Sequence, residues 1–442
     1  MQPLQSKATG PLGGDIVAPG DKSISHRALL LGALTAGQTE IDGLLAAEDT
    51  LATAAAISAL GAPASCDEAG RWHVTGVGIG GLSAPEGVLD LGNSGTGARL
   101  LLGVLVGHPL SAVLTGDDSL RSRPMARVTE PLSRMGAHFV CADGGRLPIT
   151  VTGTADPLAL DYRLPVPSAQ VKSALLLAGL SAAGQTTIIE SKPTRDHSER
   201  MLRLFGANVS SDTEADGGKR ITLEGQPELV SPGSLTVPGD PSSAAFPLVA
   251  ALLVPGSRVT VGGVCTNALR TGLYESLSEM GATLEFAETG EACGDSVADL
   301  HASASALRGV TVPAERAPRM IDEYPILAIA AACASGTSRF EGLGELRVKE
   351  SDRLAAIIDG LAANGVTVEG DADSLTIMGA GGPPPGGGTV VTHGDHRIAM
   401  AFLILGLVTR RPVTIDDGSM IATSFPGFAE LMGGLGACIT QP

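Results

Sequence analysis

Lys22, Ser23 and Arg27 stand where a polar turn, Pro19-Gly-Asp-Lys-Ser-Ile-Ser-His-Arg27, runs into the apolar stretch Ala28-Leu-Leu-Leu31. Asp21 suits a helix N-cap, and Ser23 and Arg27, four residues apart, share a helix face with Lys22 beside them. Cations at that end oppose the helix dipole, which favours negative charge there, so something anionic belongs among them. Arg99, Arg123, Arg127, Lys172, Arg195, Arg347, Lys349, Arg353 and Arg397 also stand at or near starts of helix-like runs. If those starts face one way, the cations and the open backbone N–H groups converge on one cleft for small, multiply anionic ligands. Asn93-Ser-Gly-Thr-Gly-Ala-Arg99 reads either as a second anion-binding opening, its small residues allowing close approach, or as a capped turn. Ser168 and Gln170 offer hydroxyl and amide donors at a third start.

Two carboxylates lie among the cations. Asp322 precedes an apolar helix, and Glu350 sits in Lys349-Glu-Ser-Asp-Arg353. Each fits a proton carrier at a bound substrate. Each fits equally a helix-start role, as cap or as first-turn charge. His26, His197 and His396 fall in opening clusters with no His or Cys at metal-pair spacing, which reads as hydrogen-bonded side chains rather than ligands. The six cysteines show no CxxC and read as buried or free thiols.

The elements that must carry these residues repeat. Apolar helix-like runs begin near Asp21, Asn93, Ser168, Asp240, Asp322 and Asp395, spaced by roughly 70 to 80 residues. A glycine stop and a strand-like run follow, as in Leu34-Thr-Ala-Gly-Gln-Thr-Glu-Ile41. A second helix then ends on one recurring signature, seen in Leu60-Gly-Ala62, Met135-Gly-Ala137, Phe205-Gly-Ala207, Met280-Gly-Ala282, Asn364-Gly-Val366 and Leu435-Gly-Ala437. The last copy is short, and the leader before Pro19 is unassigned; joining them completes a sixth copy. The expected domains are therefore 1–20 with 240–442, and 21–239, with Pro19-Gly-Asp-Lys22 and Pro238-Gly-Asp-Pro241 as hinge strands and the site in the cleft between them. Gly381 to Gly388 reads as a loop, and Glu288 to Ser305 as a surface loop or ragged strand.

With 442 residues, 43% hydrophobic and 17% charged, the chain has the makings of a two-domain globular protein. A net charge of −17 argues against nucleic acid or anionic membrane as partner, and 3% aromatic content argues against a stacking platform. No signal-like start or long apolar span occurs, which suits a cytoplasmic enzyme. Gly76-Val-Gly-Ile-Gly-Gly81 satisfies a dinucleotide-binding pattern, but Leu82-Ser-Ala-Pro-Glu86 follows where a helix should open. No phosphate-binding P-loop is present.

Taken together, Gly20-Asp-Lys-Ser-Ile-Ser-His-Arg27, Gly92-Asn-Ser-Gly-Thr-Gly97, Arg123-Pro-Met-Ala-Arg127, Ser168-Ala-Gln-Val-Lys172, Arg195-Asp-His197, Asp322-Glu-Tyr-Pro325, Arg347-Val-Lys-Glu-Ser-Asp-Arg353 and Asp395-His-Arg397 closely resemble the 5-enolpyruvylshikimate-3-phosphate synthase family over nearly the whole chain. The resemblance implies an α/β fold of two similar domains, each of three βαβαββ repeats, the inside-out α/β barrel of enolpyruvyl transferases. It implies transfer of the enolpyruvyl group of phosphoenolpyruvate to the 5-hydroxyl of shikimate 3-phosphate, by addition and elimination, on the way to chorismate. Lys22, Ser23, Arg27, Ser168, Gln170, Arg195, Asp322 and Lys349 would hold shikimate 3-phosphate. Lys22, Gly95, Arg123, Gln170, Arg353 and Arg397 would hold phosphoenolpyruvate. Asp322, Glu350 and Lys22 would be catalytic, with no metal or cofactor, in a cytoplasmic monomer whose partners are these two small molecules. Two departures stand out. Thr423 precedes Ser424-Phe-Pro426 where many members carry lysine, and Gly95 stands where a glyphosate-tolerant form has alanine, so the inhibitor is expected to fit.

Two alternatives compete. A UDP-N-acetylglucosamine enolpyruvyl transferase would carry Lys-Asn at the first helix and cysteine in the loop Gly116 to Arg123; this chain has Lys22-Ser23 and no cysteine there. A non-catalytic anion-binding protein of the same architecture would have no use for Asp322 and Glu350 among the cations.

Overall fold

The computed structural model describes residues 1–442. Six four-stranded sheets share one design. In the second, Leu89–Asp90 pairs in parallel with Ser111–Thr115, which pairs antiparallel with Arg146–Thr152, and His138–Ala142 closes the edge. Parallel neighbours need a crossover between them, and the helix Gly95–Leu105 supplies it. A second helix, Ala126–Arg134, leads into the antiparallel pair. Every module is thus strand, helix, strand, helix, strand, strand.

The opening helices are Lys22–Leu34, Gly95–Leu105, Ala169–Gly179, Pro241–Leu253, Tyr324–Cys333 and His396–Gly406. They are apolar all round and correspondingly enclosed: every residue from Ile24 to Leu34, from Pro241 to Leu252 and from Tyr324 to Ala332 is buried. Close approach demands glycine at two points. A Cβ on Gly103 would come within 2.2 Å of the Ala174 carbonyl oxygen, and one on Gly360 within 2.3 Å of the Phe402 ring. The recurring glycines after the second helices, Gly61, Gly136, Gly206, Gly281, Gly365 and Gly436, all have positive φ, the left-handed conformation that stops a helix.

Two compact units result, one comprising Met1–Pro19, Gly239–Gly290 and Ser296–Pro442, the other Gly20–Pro238 and Glu291–Asp295. Around the crossings the leading strands are exchanged. Gly13–Val17 precedes the helix Lys22–Leu34 in sequence but pairs in parallel with Arg258–Cys265, in the module opened by Pro241–Leu253. Ser234–Thr236 precedes that helix but pairs with Ala36–Asp42 of the first module. Leu4–Lys7 lies between Val413–Ile415 and Cys438–Thr440, completing the last sheet.

The region from Glu288 to Ser305, read as a loop or ragged strand, is a regular hairpin of Thr283–Ala292 and Asp295–Ser303. Its first strand is exposed along most of its length, so no apolar alternation marks it. No helix is long and apolar enough to cross a membrane.

His26 ties the second unit's opening helix to its neighbours. Its Nδ1 lies 2.8 Å from Thr53 Oγ1, in Glu48–Ala59, and its Nε2 3.4 Å from Ser94 Oγ, the N-cap of Gly95–Leu105. Burial, then Lys22 and Arg27, hold its pKa well below the ordinary histidine value. The unfolded chain therefore takes up a proton below about pH 6.5 that folded His26 refuses, so stability is full above that pH and falls as pH drops. His26→Gln should flatten the decline, which for one proton approaches about 1.4 kcal/mol per pH unit. Urea midpoints of both proteins from pH 7.5 to 5 test this, and parallel curves would exclude His26 as the source.

Candidate active site

Side-chain caps fix where five of the opening helices begin. Asp21, Ser94, Ser168, Asp240 and Asp395 accept from Ile24, Gly97, Val171, Ser242 and Arg397 backbone N–H groups. In the second unit these starts present the cations. Lys22, at the first turn, forms a close ion pair with Asp49. Arg27 is 4% exposed and donates to Ser23 O at 2.7 Å, Ser198 Oγ at 2.7 Å and Ser173 Oγ at 2.6 Å. That bracing fixes the turn carrying Lys22 and Ser23.

Gly95, Arg123 and Gln170 form one cluster. A Cβ on Gly95 would stand 2.8 Å from Arg99 Nη1 and 2.9 Å from Arg123 Nη1, so the bare glycine leaves room against two guanidinium groups. Gln170 donates to Thr96 Oγ1 at 2.9 Å and accepts from Arg99 Nη1 at 3.1 Å. Arg123 donates to Asn93 Oδ1 at 2.8 Å and Ser119 Oγ at 3.1 Å. Ser168 spends its hydroxyl on the helix cap, at 3.4 Å from Val171 N.

Two of the cations expected at helix starts have structural employment. Lys172 is fully buried, paired with Glu199 at 2.8 Å and Glu190 at 3.1 Å. Burial alone would discharge it; the two glutamates outweigh that and raise its pKa. It faces inward because its helix is enclosed, with every residue from Val171 to Gly179 buried. Arg347 donates to Asp352 at 2.7 Å and to the Ala372 carbonyl at 3.1 Å, bracing a loop. Arg195 is half-buried in the connection between Gln185–Glu190 and His197–Leu204.

In the first unit the organising group is Arg353, 1% exposed. Its Nε donates to Asp395 Oδ2 at 2.8 Å, Nη1 to Asp322 Oδ1 at 3.0 Å and Nη2 to Glu350 Oε2 at 2.5 Å. Burial opposes this charge, yet Asp395, Glu350 and Asp322 outweigh it and keep the guanidinium protonated. Burial likewise pushes Asp395 up, and Arg353 more than offsets it, leaving that carboxyl below its usual range. Lys349 Nζ lies 3.4 Å from Asp322 Oδ1, and Arg397 Nη1 donates to the Asp322 carbonyl at 3.4 Å. Asp322 is not a cap. The N-cap residue is Glu323, which makes no side-chain capping bond, and Asp322 is spent on Arg353 and Lys349 instead.

The three histidines of the opening clusters are buried and hydrogen-bonded: His26 as above, His197 to Asp295 at 2.7 Å, and His396 to Thr423 at 3.5 Å. Thr423 is 2% exposed and donates to Met420 O at 2.7 Å, so a packed hydroxyl stands where the resemblance suggested a lysine. Residue types at helix starts did not reveal Asp49 or Asp395 as partners of the site cations, or Thr96 as the partner of Gln170. Asp395 alone carried a signal, its place one residue before His396-Arg397.

The second unit thus offers a cation-rich set of helix starts, suited to holding anions, and the first a buried guanidinium ringed by carboxylates, suited to moving protons. A model of the family described as EPSP synthase (3-phosphoshikimate 1-carboxyvinyltransferase) matches residues 6–432. The 3-phosphoshikimate 1-carboxyvinyltransferase of Methylorubrum populi is 59% identical over 441 residues, covering 99% of this chain and 97% of its own. That of Rhodospirillum rubrum is 60% identical, covering 99% and 98%. Among solved structures, EPSP synthase from Acinetobacter baumannii has a TM-score of 0.88 at 42% identity, over 100% of this chain and 99% of that one. The enolpyruvyl transferase NikO from Streptomyces tendae, 20% identical with a TM-score of 0.78 over 99% and 98%, shares the fold. A full-length match to the family model, relatives near 60% identity and a common fold have one reading: the chain belongs to the EPSP synthase (3-phosphoshikimate 1-carboxyvinyltransferase) family.

Proposed function

We infer that the helix-start cations and the Arg353 cluster are the parts with which this chain carries out its family's reaction. That reaction transfers the enolpyruvyl group of phosphoenolpyruvate to the 5-hydroxyl of shikimate 3-phosphate and releases phosphate, in the shikimate pathway to aromatic amino acids. The observation that carries the assignment is Asp322, a carboxylate released from capping and set between Lys349 and Arg353.

Shikimate 3-phosphate is taken by Lys22, Ser23, Arg27, Ser168, Gln170, Arg195, Asp322 and Lys349. Phosphoenolpyruvate is taken by Lys22, Gly95, Arg123, Gln170, Arg353 and Arg397. Arginines meet phosphate and carboxylate with paired N–H donors. For Arg353 to do so it must give up part of its hold on Glu350, and the glutamate so released is placed to move a proton. Asp322 accepts the proton of the 5-hydroxyl as its oxygen attacks C2, and C3 is protonated. In the second step C3 gives the proton back as the C2–O bond to phosphate breaks. Glu350 and Lys22 serve the carbon and the leaving phosphate. No metal or cofactor takes part, and the enzyme works as a cytoplasmic monomer.

Purified protein mixed with shikimate 3-phosphate and phosphoenolpyruvate, without added metal, should release phosphate and form the enolpyruvyl ether, as read by phosphorus NMR. UDP-N-acetylglucosamine as acceptor should give nothing; the reverse outcome would hand the protein to the other enolpyruvyl transferases. Asp322→Asn and Glu350→Gln keep shape and hydrogen bonding toward Arg353, so both should fold and bind, with turnover reduced about 10²–10⁴-fold. Near-normal kcat in either would remove that residue from proton transfer. Glyphosate, carrying phosphonate and carboxylate, should compete with phosphoenolpyruvate. In Gly95→Ala the new methyl crowds the guanidinium ends of Arg99 and Arg123 and touches no backbone, so the fold should survive while the KM for phosphoenolpyruvate and the glyphosate inhibition constant both rise. Unchanged values would mean that neither anion approaches Gly95.

A further inference from the structure

Arg195 sits on a short connection whose backbone is held from both sides by buried charge. On one side Glu190, 1% exposed, accepts from Thr194 N at 3.0 Å and Thr194 Oγ1 at 2.6 Å, while Lys172 donates to the Thr194 carbonyl at 3.2 Å. On the other side Asp295, fully buried, lies 2.7 Å from His197 Nδ1 and 3.3 Å from Arg200 Nε. Arg200 in turn pairs with Asp196 at 2.9 Å and donates to the Gly294 carbonyl at 2.9 Å. Both residues after Arg195 are therefore anchored, His197 directly and Asp196 through Arg200. Asp295 is 98 residues away in sequence from His197, yet it belongs to the same compact unit.

Thr194 and His197, the buried residues nearest Arg195 on either side, each have polar groups paired that would otherwise cost free energy to bury. A long arginine side chain loses rotamer freedom when it grips an anion, and a fixed backbone lowers that cost. We propose that Asp295 is a positioning residue for shikimate 3-phosphate binding, acting through His197 and Arg200 to set the pose of Arg195. This rests on the reading of Arg195 as a ligand of that substrate.

The test compares Arg195→Ala, Asp295→Asn, Arg200→Gln and the double variant Arg195→Ala/Asp295→Asn, in the full chain, by steady-state kinetics in each substrate. Arg200 is 34% exposed, so its variant remains informative should Asp295→Asn fail to fold. Asp295→Asn and Arg200→Gln should each raise the KM for shikimate 3-phosphate about tenfold, leaving the KM for phosphoenolpyruvate and kcat near normal. In the double variant Asp295→Asn should add nothing to the effect of Arg195→Ala, because its route is already cut. If Arg195→Ala raises that KM while folded Asp295→Asn and Arg200→Gln do not, or if the effects multiply in the double variant, the positioning role is overturned. If Arg195→Ala itself leaves the KM unchanged, the ligand assignment fails and the positioning role falls with it.

Discussion

Six helices that are apolar on every side must be enclosed on every side, and this is the constraint from which the remaining architecture follows. Sheets cover the flanks, glycines such as Gly103 permit contact between helices, and a helix sealed along its length can meet polar chemistry only at its ends. The N-terminal ends carry open N–H groups and a favourable field for anions. Capping residues, Lys22 and Asp322 stand at those ends, while Lys172, one turn further in, is already inside the protein and neutralised by Glu190 and Glu199.

The two units use the same helix starts for different electrostatics. Around Lys22, Arg27, Arg99 and Arg123 the partners include hydroxyls, amides and carbonyls, with Asp49 a carboxylate on Lys22. Around Arg353 the balance is already struck, with Asp322, Glu350 and Asp395 on one guanidinium. An anion arriving there must compete with a carboxylate the protein supplies. The first arrangement presents donors to an anion, and the second holds carboxylates where charge can be exchanged.

What was legible in the sequence was whatever local chemistry writes down. Helix starts followed from Asp21, Ser168, Asp240 and Asp395, helix ends from Gly61 and its five counterparts, and the closing of the last sheet by the N-terminal strand from counting the copies. Long-range pairing was not legible. Nothing near Lys172 announces Glu190 or Glu199 as its partners, and nothing near His197 announces Asp295. The hairpin containing Asp295 was missed because its outer strand faces solvent and carries no alternation. Asp322 was ambiguous for a related reason: capping and proton transfer ask for the same side chain, and the sequence does not show that this one is paired with Arg353 and Lys349 instead of capping.

The exchanged strands bear on how the protein is made. Leu4–Lys7 leaves the ribosome long before its two neighbours, Val413–Ile415 and Cys438–Thr440. Gly13–Val17 likewise waits for Arg258–Cys265. In between, Gly20–Pro238 emerges as a continuous stretch whose ends meet, with the Asp21 N–H donating to the Pro238 carbonyl at 2.7 Å. Three modules can therefore assemble before the earliest strands find partners. Those early strands are short and largely polar, Leu-Gln-Ser-Lys and Gly-Gly-Asp-Ile-Val, which suits segments that must remain unpaired in the cell for most of the time of synthesis without recruiting a neighbouring chain.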